Sequence, residues 1–533
     1  MFRNCSSLQE IRYLNVDKIK IFGLNFNLNQ MFYNCCSLKD IDVLSLFDIK
    51  DIKVTSFVQM FGGCCSLINL LGIKEWNISG VYCFSNIFDG CSSLQNLQEL
   101  KDWNVSNGRE FSCMFKGCSS LHNLEGLKEW NVSEGRNFSC MFKGCSSLHN
   151  LEELKNWNAQ KGNFSHMFED CSSLKNIDGL KEWNIIEGEL SNMFENCSSL
   201  QNLDGIKKWF SSKNDKLNFS NMFESCSSLQ NLDALKEWKF SEGYEKNNFS
   251  NMFKGCSSLQ NLDGLKNWDV SATSNFSNMF KGCFSLQNLD SLKEWKVRSA
   301  EFSNMFEGCS SLQNLEGLKN WDVSKASNFS HMFEGCSSLQ NLDALKEWKI
   351  SEGYERKNIF SNMFKGCSSL QNLDGLKEWK FPKKFWRTYD FSNMFEGCSS
   401  LKDLNGLKDW KVSGDYDKSC SYCFSHMFEG CSSLQNLDGL KYWNWDNIPS
   451  FYDNEGLEGM FKNCTFLQDV NGLKNWDVYK CKNFTDMFNG CTSLQNIDEL
   501  KNWQIDDKNA GLKGIFDNCT SLKSVFNFSD RQS

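Results

Sequence analysis

The chain has 533 residues and a formal net charge of −9, with lysines and acidic residues alternating over short distances. This balance offers no basic stripe for nucleic acid and no polybasic patch for a membrane surface, and no apolar run approaches the roughly 18 residues that a spanning helix needs. A length several times that of an ordinary domain implies several domains or one repeated unit. One sequence motif recurs along the chain, which indicates a repeated unit.

The chain begins in the middle of one copy of this motif. Met1 to Cys5 match the middle of the repeat, and the first residues lack the charged start and apolar stretch of a secretory signal. We therefore expect an N-terminally truncated sequence, organised as a single repeat solenoid over residues 1–533.

One cysteine recurs in every copy and defines about nineteen repeats, spaced by 26 to 33 residues. Repeats of this size are typical of leucine-rich-type coils. A single copy cannot bury its own apolar face, so stacking is needed to give a continuous core. The anchor cysteines stand at positions 5, 35, 64, 91, 118, 145, 171, 197, 226, 256, 283, 309, 336, 367, 398, 431, 464, 491 and 519.

The apolar residues of each coil fall into two sets on either side of the anchor. Phe249 to Cys256 have the i, i+3, i+4, i+7 spacing of a short helix face. Leu259 to Trp268 keep a period of three around a central Asp-Gly, which favours an extended turn and a short strand because Gly weakens helix interiors. The sequence therefore predicts a leucine-rich-repeat-like solenoid, a stack of short parallel strands and short helical turns.

The segment Met114 to Ser133 joins Met-Phe-Lys-Gly-Cys-Ser-Ser-Leu to further leucines and Trp-Asn-Val-Ser. This pattern resembles the BspA-like leucine-rich repeat surface proteins of bacteria and protists, and the likeness covers nearly the whole chain. The resemblance implies a surface-exposed or secreted adhesion or interaction protein, hence a cell-surface or extracellular location. The chain lacks the signal and anchor usual in that family, and its Asp-Gly-Leu segment is one residue longer.

The anchor cysteines are interpreted as small hydrophobic residues that fill one interior slot in every coil. Two other pairs occupy matching positions in adjacent coils, Cys36 with Cys65 and Cys113 with Cys140. Strands about 4.8 Å apart lie within the separation that a disulfide can span, so these pairs are candidates for bridging in an oxidising compartment. Cys420-x-x-Cys423 has no matching second pair, so no metal site is predicted there.

Sixteen of the eighteen tryptophans lie twelve residues after the anchor. They form either an exposed binding stripe or a buried edge, and we favour burial because an exposed ladder of this length would promote aggregation. Each of the five histidines replaces a Gln or Asn of other copies, which argues against a general base. No catalytic residue, cofactor or metal is predicted, and the recurring Asn-Phe-Ser triplets follow from the consensus.

The predicted function is a non-enzymatic protein-binding or adhesion scaffold with a protein or cell-surface ligand; the alternative is a cytosolic structural or interaction protein with reduced thiols. Anchor spacings rise to 31 and 33 between Cys336 and Cys464. The longer loops within 380–463 follow the tryptophan and carry aromatic residues that the coil does not need, which predicts a partner-binding patch. Its candidate residues are Phe385, Trp386, Tyr389, Tyr416, Tyr422, Trp445, Phe451 and Tyr452.

Overall fold

The computed structural model divides the chain into two units, Met1–Leu259 with Asp263–Asp269, and Gln260–Leu262 with Val270–Ser533. Each unit is a stack of leucine-rich-repeat-like coils, which confirms the predicted repeat fold. The residues that the structure describes are 2–11, 28–46, 54–210, 217–240, 247–271, 273, 275–297, 300–326, 328–350, 357–381, 388–410, 421–443, 450–451, 456–479, 481–505 and 511–525.

The first unit contains short 3-10 helices in successive coils and two parallel strands. The strands β1 (Lys161–Asn163) and β2 (Glu187–Glu189) pair with Gly162 opposite Gly188. The helices are Asp42–Leu46, Leu71–Ile73, Gln98–Leu100, Glu125–Leu127, Glu152–Leu154, Asp178–Leu180, Asp204–Ile206, Asp233–Glu237 and Asp263–Leu265.

The second unit repeats this pattern and has a larger sheet. Its four parallel strands lie in chain order, as β3 (Lys357–Ile359), β4 (Thr388–Asp390), β5 (Ser421–Cys423) and β6 (Ser450–Phe451). Its 3-10 helices are Asp290–Leu292, Glu316–Leu318, Asp343–Leu345, Asp374–Leu376, Asn405–Leu407, Asp438–Leu440, Asn471–Leu473 and Asp498–Asn502. No helix among the described residues of either unit is long and apolar enough to cross a membrane.

The segment before each anchor is a run of overlapping turns that bonds to the next coil. Alternate N–H groups stay within the coil, as from Cys256 to the Phe253 carbonyl at 3.1 Å. The intervening N–H groups bond the next coil, as from Phe223 to the Met252 carbonyl at 2.9 Å. Each coil thereby satisfies its own backbone and pairs with its neighbour.

The prediction of a short helix from Phe249 to Cys256 is wrong. Two residues of this segment, Asn251 and Gly255, have φ of 57° and 73°, in the left-handed region that a right-handed helix excludes. These residues direct alternate N–H groups to the next coil, whereas a helix would bond them within the same segment. Asn and Gly recur at the two positions because they tolerate a left-handed backbone better than other residues.

The leucine segment after the anchor is also organised differently from the prediction. A 3-10 helix occupies Asp263–Leu265, where a strand was expected, and the strands and isolated bridges of the stack mostly precede the turn run, as at Asn218 opposite Asn248. An Asn two residues before the helix fixes its start; in the preceding coil, Asn231 Oδ1 accepts the Asp233 N–H at 3.2 Å.

Gly264 fits this helix because the preceding coil approaches it closely. A Cβ placed on Gly264 would lie 1.7 Å from the carbonyl oxygen of Leu232. Most coils therefore carry Gly or Ala at this position, and the close approach outweighs the weakness of Gly as a helix former. The low helix propensity of Gly does not prevent a helix here, because a 3-10 helix of three residues depends little on propensity.

Candidate functional site

The anchor cysteines form a hydrogen-bonded column. In the first unit, Cys118 Sγ donates to the carbonyl oxygen of Phe88 at 3.3 Å, one coil earlier. In the second unit, Cys398 Sγ donates to the Phe364 carbonyl at 3.2 Å. Burial raises the pKa of the Cys309 thiol to about 12, so this thiol is protonated and unreactive at neutral pH. The terminal anchors are less buried, Cys5 being exposed and Cys519 half-buried, but Cys519 Sγ still donates to the Phe488 carbonyl at 3.1 Å.

The tryptophan column is buried in the coils that the structure describes, as predicted. Trp157 is 2% exposed and lies in ring contact with Trp183 at a centroid distance of 6.1 Å. Its Nε1 donates to the carbonyl oxygen of Leu127 at 2.9 Å. The indoles therefore close the core at one corner of each coil, and this stripe is not available to a ligand.

Most of the predicted partner-binding residues lie outside the described residues, namely Phe385, Trp386, Tyr416, Trp445 and Tyr452. The backbone of the remaining three is described. Tyr389 of β4 is in register with Tyr422 of β5, and Tyr422 is in register with Phe451 of β6. The structure thus brings three of the predicted residues to equivalent positions in adjacent parallel strands.

Tyr389 itself is a core residue. It is 1% exposed, its ring stacks on Phe391 at 6.2 Å, and it meets Phe381 edge-on at 5.5 Å. The expectation that this ring faces a partner is therefore corrected. The residue belongs to a strand that rejoins the coil, whereas the sequence placed it in the preceding loop.

The thiols outside the anchor column differ in their surroundings. Cys36 and Cys65 are exposed, whereas Cys113 and Cys140 are half-buried, and all four are free. Cys423 is buried, with Sγ 3.2 Å from Ser425 Oγ, and Cys420 lies outside the described residues.

Three histidines occupy the left-handed position at which Asn is the commonest residue, with φ of 56° to 60°. Each lies beside the glutamate three residues later. The Nδ1 of His426 is 2.6 Å from Glu429 Oε2, and this hydrogen bond raises the pKa of His426. His331 contacts Glu334 in the same way, and the contact lowers the pKa of Glu334.

A charge cluster that the repeat pattern does not predict lies around His166. His166, Glu169 and Glu195 bring ligand-type atoms within 4.8 Å of one another. Glu169 Oε2 is already engaged by Lys143 Nζ at 2.6 Å and by His166 Nδ1 at 2.7 Å. A lysine ammonium on the same oxygen is the pattern of an ion-pair network, and we assign no metal to it. The detectable signal was His followed by Glu three residues later.

The Asn-Phe-Ser triplets have a structural role. Asn137 Oδ1 accepts hydrogen bonds from the Ser139 N–H at 3.1 Å and from the Ser139 hydroxyl at 2.8 Å. The same bonds recur from Asn163 to Ser165, at 2.9 Å and 2.6 Å. The Asn side chain thus caps the turn run, which explains why the triplet recurs with the repeat.

A protein family matches the chain over most of its length. The family is described as "Mycoplasma protein of unknown function, DUF285", and its model matches residues 26–150, 55–183, 84–209, 188–315, 247–379, 300–424 and 389–528. No curated protein matches the chain.

Two solved structures of bacterial leucine-rich repeat proteins resemble the chain. One, a leucine-rich repeat protein from Bacteroides ovatus, is 16% identical, covers 72% of this chain and 82% of its own, and has a TM-score of 0.33. The other, a leucine rich cell surface protein from Faecalibacterium prausnitzii, is 15% identical, covers 76% of this chain and 77% of its own, and has a TM-score of 0.27. Both TM-scores are low, so the assignment of the repeat architecture depends on the coil geometry described above and not on these likenesses.

Proposed function

This chain belongs to the DUF285 family, and from that premise we propose that it is a non-enzymatic protein-binding scaffold. Its ligand site lies on the segments that follow the tryptophan within residues 380–463. The supporting observation is the division of each coil between an unvarying buried stack and one connection of variable length. A stack of this kind tolerates changes in that connection without loss of the core.

The register of β3 to β6 supports this location. The longer segments rejoin the coil at strands paired side by side, with Asn358 opposite Tyr389 and Tyr389 opposite Tyr422. Paired parallel strands lie about 4.8 Å apart, so successive segments return to the stack at adjacent points. Aromatic residues carried by neighbouring segments would then form one patch of the kind that anchors protein partners.

The regular outer face is a weaker candidate. Its lysines pair with acidic residues of the same or the adjacent coil, as Lys181 Nζ with Asp178 Oδ1 at 2.9 Å and Lys474 Nζ with Glu499 Oε2 at 3.1 Å, and they recur with little change. Exposed pairs of this kind contribute little binding energy and offer no feature specific to a few coils.

We also propose that the protein acts at the cell surface, as the BspA-like resemblance implies, with a surface protein as ligand. The alternative, a cytosolic interaction protein with reduced thiols, predicts a gene whose upstream sequence continues in frame without a secretory signal. Determining the upstream sequence distinguishes the two locations.

The binding site is tested by shortening the connections 380–390, 411–423 and 444–456, of 11, 13 and 13 residues, to the seven residues of connection 269–275. The full chain is cross-linked to a surface-protein extract, and cross-linked peptides are mapped by mass spectrometry. We expect cross-links within 380–463, their loss in the shortened variant, and an unchanged melting curve. A matched control replaces Lys266 and Asn267 by Ser on the regular face. Undiminished capture by the shortened variant, with loss in the control, would move the site to that face.

A further inference from the structure

Two half-buried cysteines, Cys113 and Cys140, occupy equivalent positions in adjacent coils of the first unit. Glu110 and Asn137, each three residues earlier in its coil, form a parallel bridge that fixes this register. The Cys113 N–H donates at 2.8 Å to the carbonyl of Ser139, the residue before Cys140, so the two cysteines lie in paired neighbouring segments. Neighbouring parallel segments hold Cα atoms at separations that a disulfide can span.

Both cysteines stand where the backbone favours another residue. Their φ values are 54° and 56°, and Asn is the commonest residue at this position, in eight of eighteen coils. A residue with a Cβ but without the amide of Asn is strained there. The left-handed position recurs throughout the stack, as at Asn86 and His166, and what distinguishes these two adjacent coils is that a cysteine fills it in both.

The surroundings make the two thiols unequal. The hydrogen bond with Cys113 lowers the pKa of Cys140 to about 6, against burial, with further lowering by the charges of His166, Lys143 and Lys116. The same hydrogen bond raises the pKa of Cys113, as do burial and Asp89, while Lys116 lowers it. The cationic groups around Cys140 therefore favour its thiolate, which makes Cys140 the nucleophile of the pair.

The second pair of stacked cysteines is different. Cys36 and Cys65 are exposed, and burial followed by the neighbouring Cys36 raises the pKa of Cys65. No lysine or histidine contributes to that shift. This pair is an internal control, because it has the same stacked arrangement without the cationic surroundings.

We propose that Cys113 and Cys140 form a peroxide-sensitive thiol pair that closes into a disulfide between two adjacent coils. The Cys140 thiolate attacks one oxygen of hydrogen peroxide, the O–O bond breaks, and hydroxide leaves and takes up a proton as water. Cys140 is then a sulfenic acid. Cys113 loses its proton, its sulfur attacks Cys140 Sγ, and the second oxygen leaves as water. The two thiols lose two electrons and the peroxide gains them.

The proposal is tested on the full chain, treated with hydrogen peroxide in the presence of a chelator and then alkylated. Peptide mass spectrometry should show a Cys113–Cys140 cross-link, reversed by dithiothreitol, at a peroxide concentration that leaves Cys36 and Cys65 reduced. In Cys113→Ser, dimedone should trap a sulfenic acid on Cys140. Iodoacetamide labelling of Cys140 in that variant should remain faster than that of Cys65 at pH 7.

A variant with Asn at both positions, Cys113→Asn and Cys140→Asn, keeps the residue that the coil prefers and should fold and resist oxidation at this site. The proposal is overturned if the native, folded chain yields no Cys113–Cys140 cross-link while Cys36 and Cys65 oxidise. Equal alkylation rates of Cys140 and Cys65 would also overturn it, since the assigned nucleophile would then have no special reactivity.

Discussion

The indole Nε1 of Trp157 donates a hydrogen bond of 2.9 Å to the carbonyl oxygen of Leu127, which lies 30 residues earlier in the chain. Trp157 is thus tied to the preceding coil by one directed bond as well as by ring contact. The same bond recurs in the second unit, where Trp410 Nε1 donates to the Leu376 carbonyl at 2.9 Å. The tryptophans hold adjacent coils in register, and their recurrence has a structural cause.

Replacement of Trp157 by Phe should test this role. The smaller ring stays apolar but leaves the Leu127 carbonyl without its indole donor, which should cost about 1 to 3 kcal/mol. Urea unfolding with hydrogen exchange of the adjoining coils measures the loss. Tyr479→Phe is the control, because Tyr479 is 60% exposed and its replacement should leave stability unchanged. Equal stability of the two variants would contradict the assigned role.

The phenylalanine column predicts a contrast between neighbouring residues. Phe253 is buried and stacks on Phe223 at 5.7 Å, so Phe253→Ala should cost about 3 to 5 kcal/mol by leaving a cavity. Lys254→Ala removes one ion pair with Glu224 and should cost no more than about 1 kcal/mol. Hydrogen exchange of this coil measures both effects. Equal losses of stability in the two variants would show that Phe253 does not face the core as assigned.

The left-handed turn positions predict an unusual order of substitutions. Asn251 has φ of 57°, so Asn251→Ala should be destabilising by about 1 to 2 kcal/mol. Asn251→Gly should be nearly neutral, because Gly adopts this backbone without a steric cost. Thermal or urea unfolding compares the two variants. A more stable Ala variant would contradict the turn geometry.

The His426–Glu429 pair predicts a pH dependence. Because the folded pKa of His426 is raised, its contribution is fully present below the unfolded value and is lost as pH rises through the folded value. His426→Asn should therefore destabilise the protein at pH 5.5, by up to about 1 kcal/mol, and have little effect at pH 8.5. Urea midpoints at both pH values measure this difference. A larger loss at pH 8.5 would reverse the assigned sign.

The sequence predicts much of this structure because the core columns repeat. Trp157 and Phe253 are recognisable as core residues from spacing alone. The local backbone geometry of each coil is harder to predict from the sequence. The spacing of Phe249 to Cys256 suits a helix, but the left-handed backbone at Asn251 redirects alternate N–H groups to the next coil, a non-local effect that periodicity does not report.

The candidate sites were also predictable only in part, because their repeat positions follow from the sequence and their contacts with other coils do not. Tyr389 belongs by sequence to an insertion, yet pairing of β4 with β5 places its ring in the core. The Cys113–Cys140 pair is detectable from matching repeat positions. The unequal pKa values of the two thiols are not, because they depend on how Cys113, His166 of the following coil and Lys143 are placed around Cys140.

The central claim, that repeating columns form the buried core of each unit with variable connections outside it, is tested most directly by thiol labelling of the native protein. Cys256 and Cys336 are fully buried, whereas Cys36 and Cys65 are exposed. N-ethylmaleimide followed by peptide mass spectrometry should modify Cys36 and Cys65 rapidly and leave Cys256 and Cys336 unmodified until urea is added. Modification of Cys256 or Cys336 in the folded protein, at the rate of Cys36, would show that the anchor column is not core.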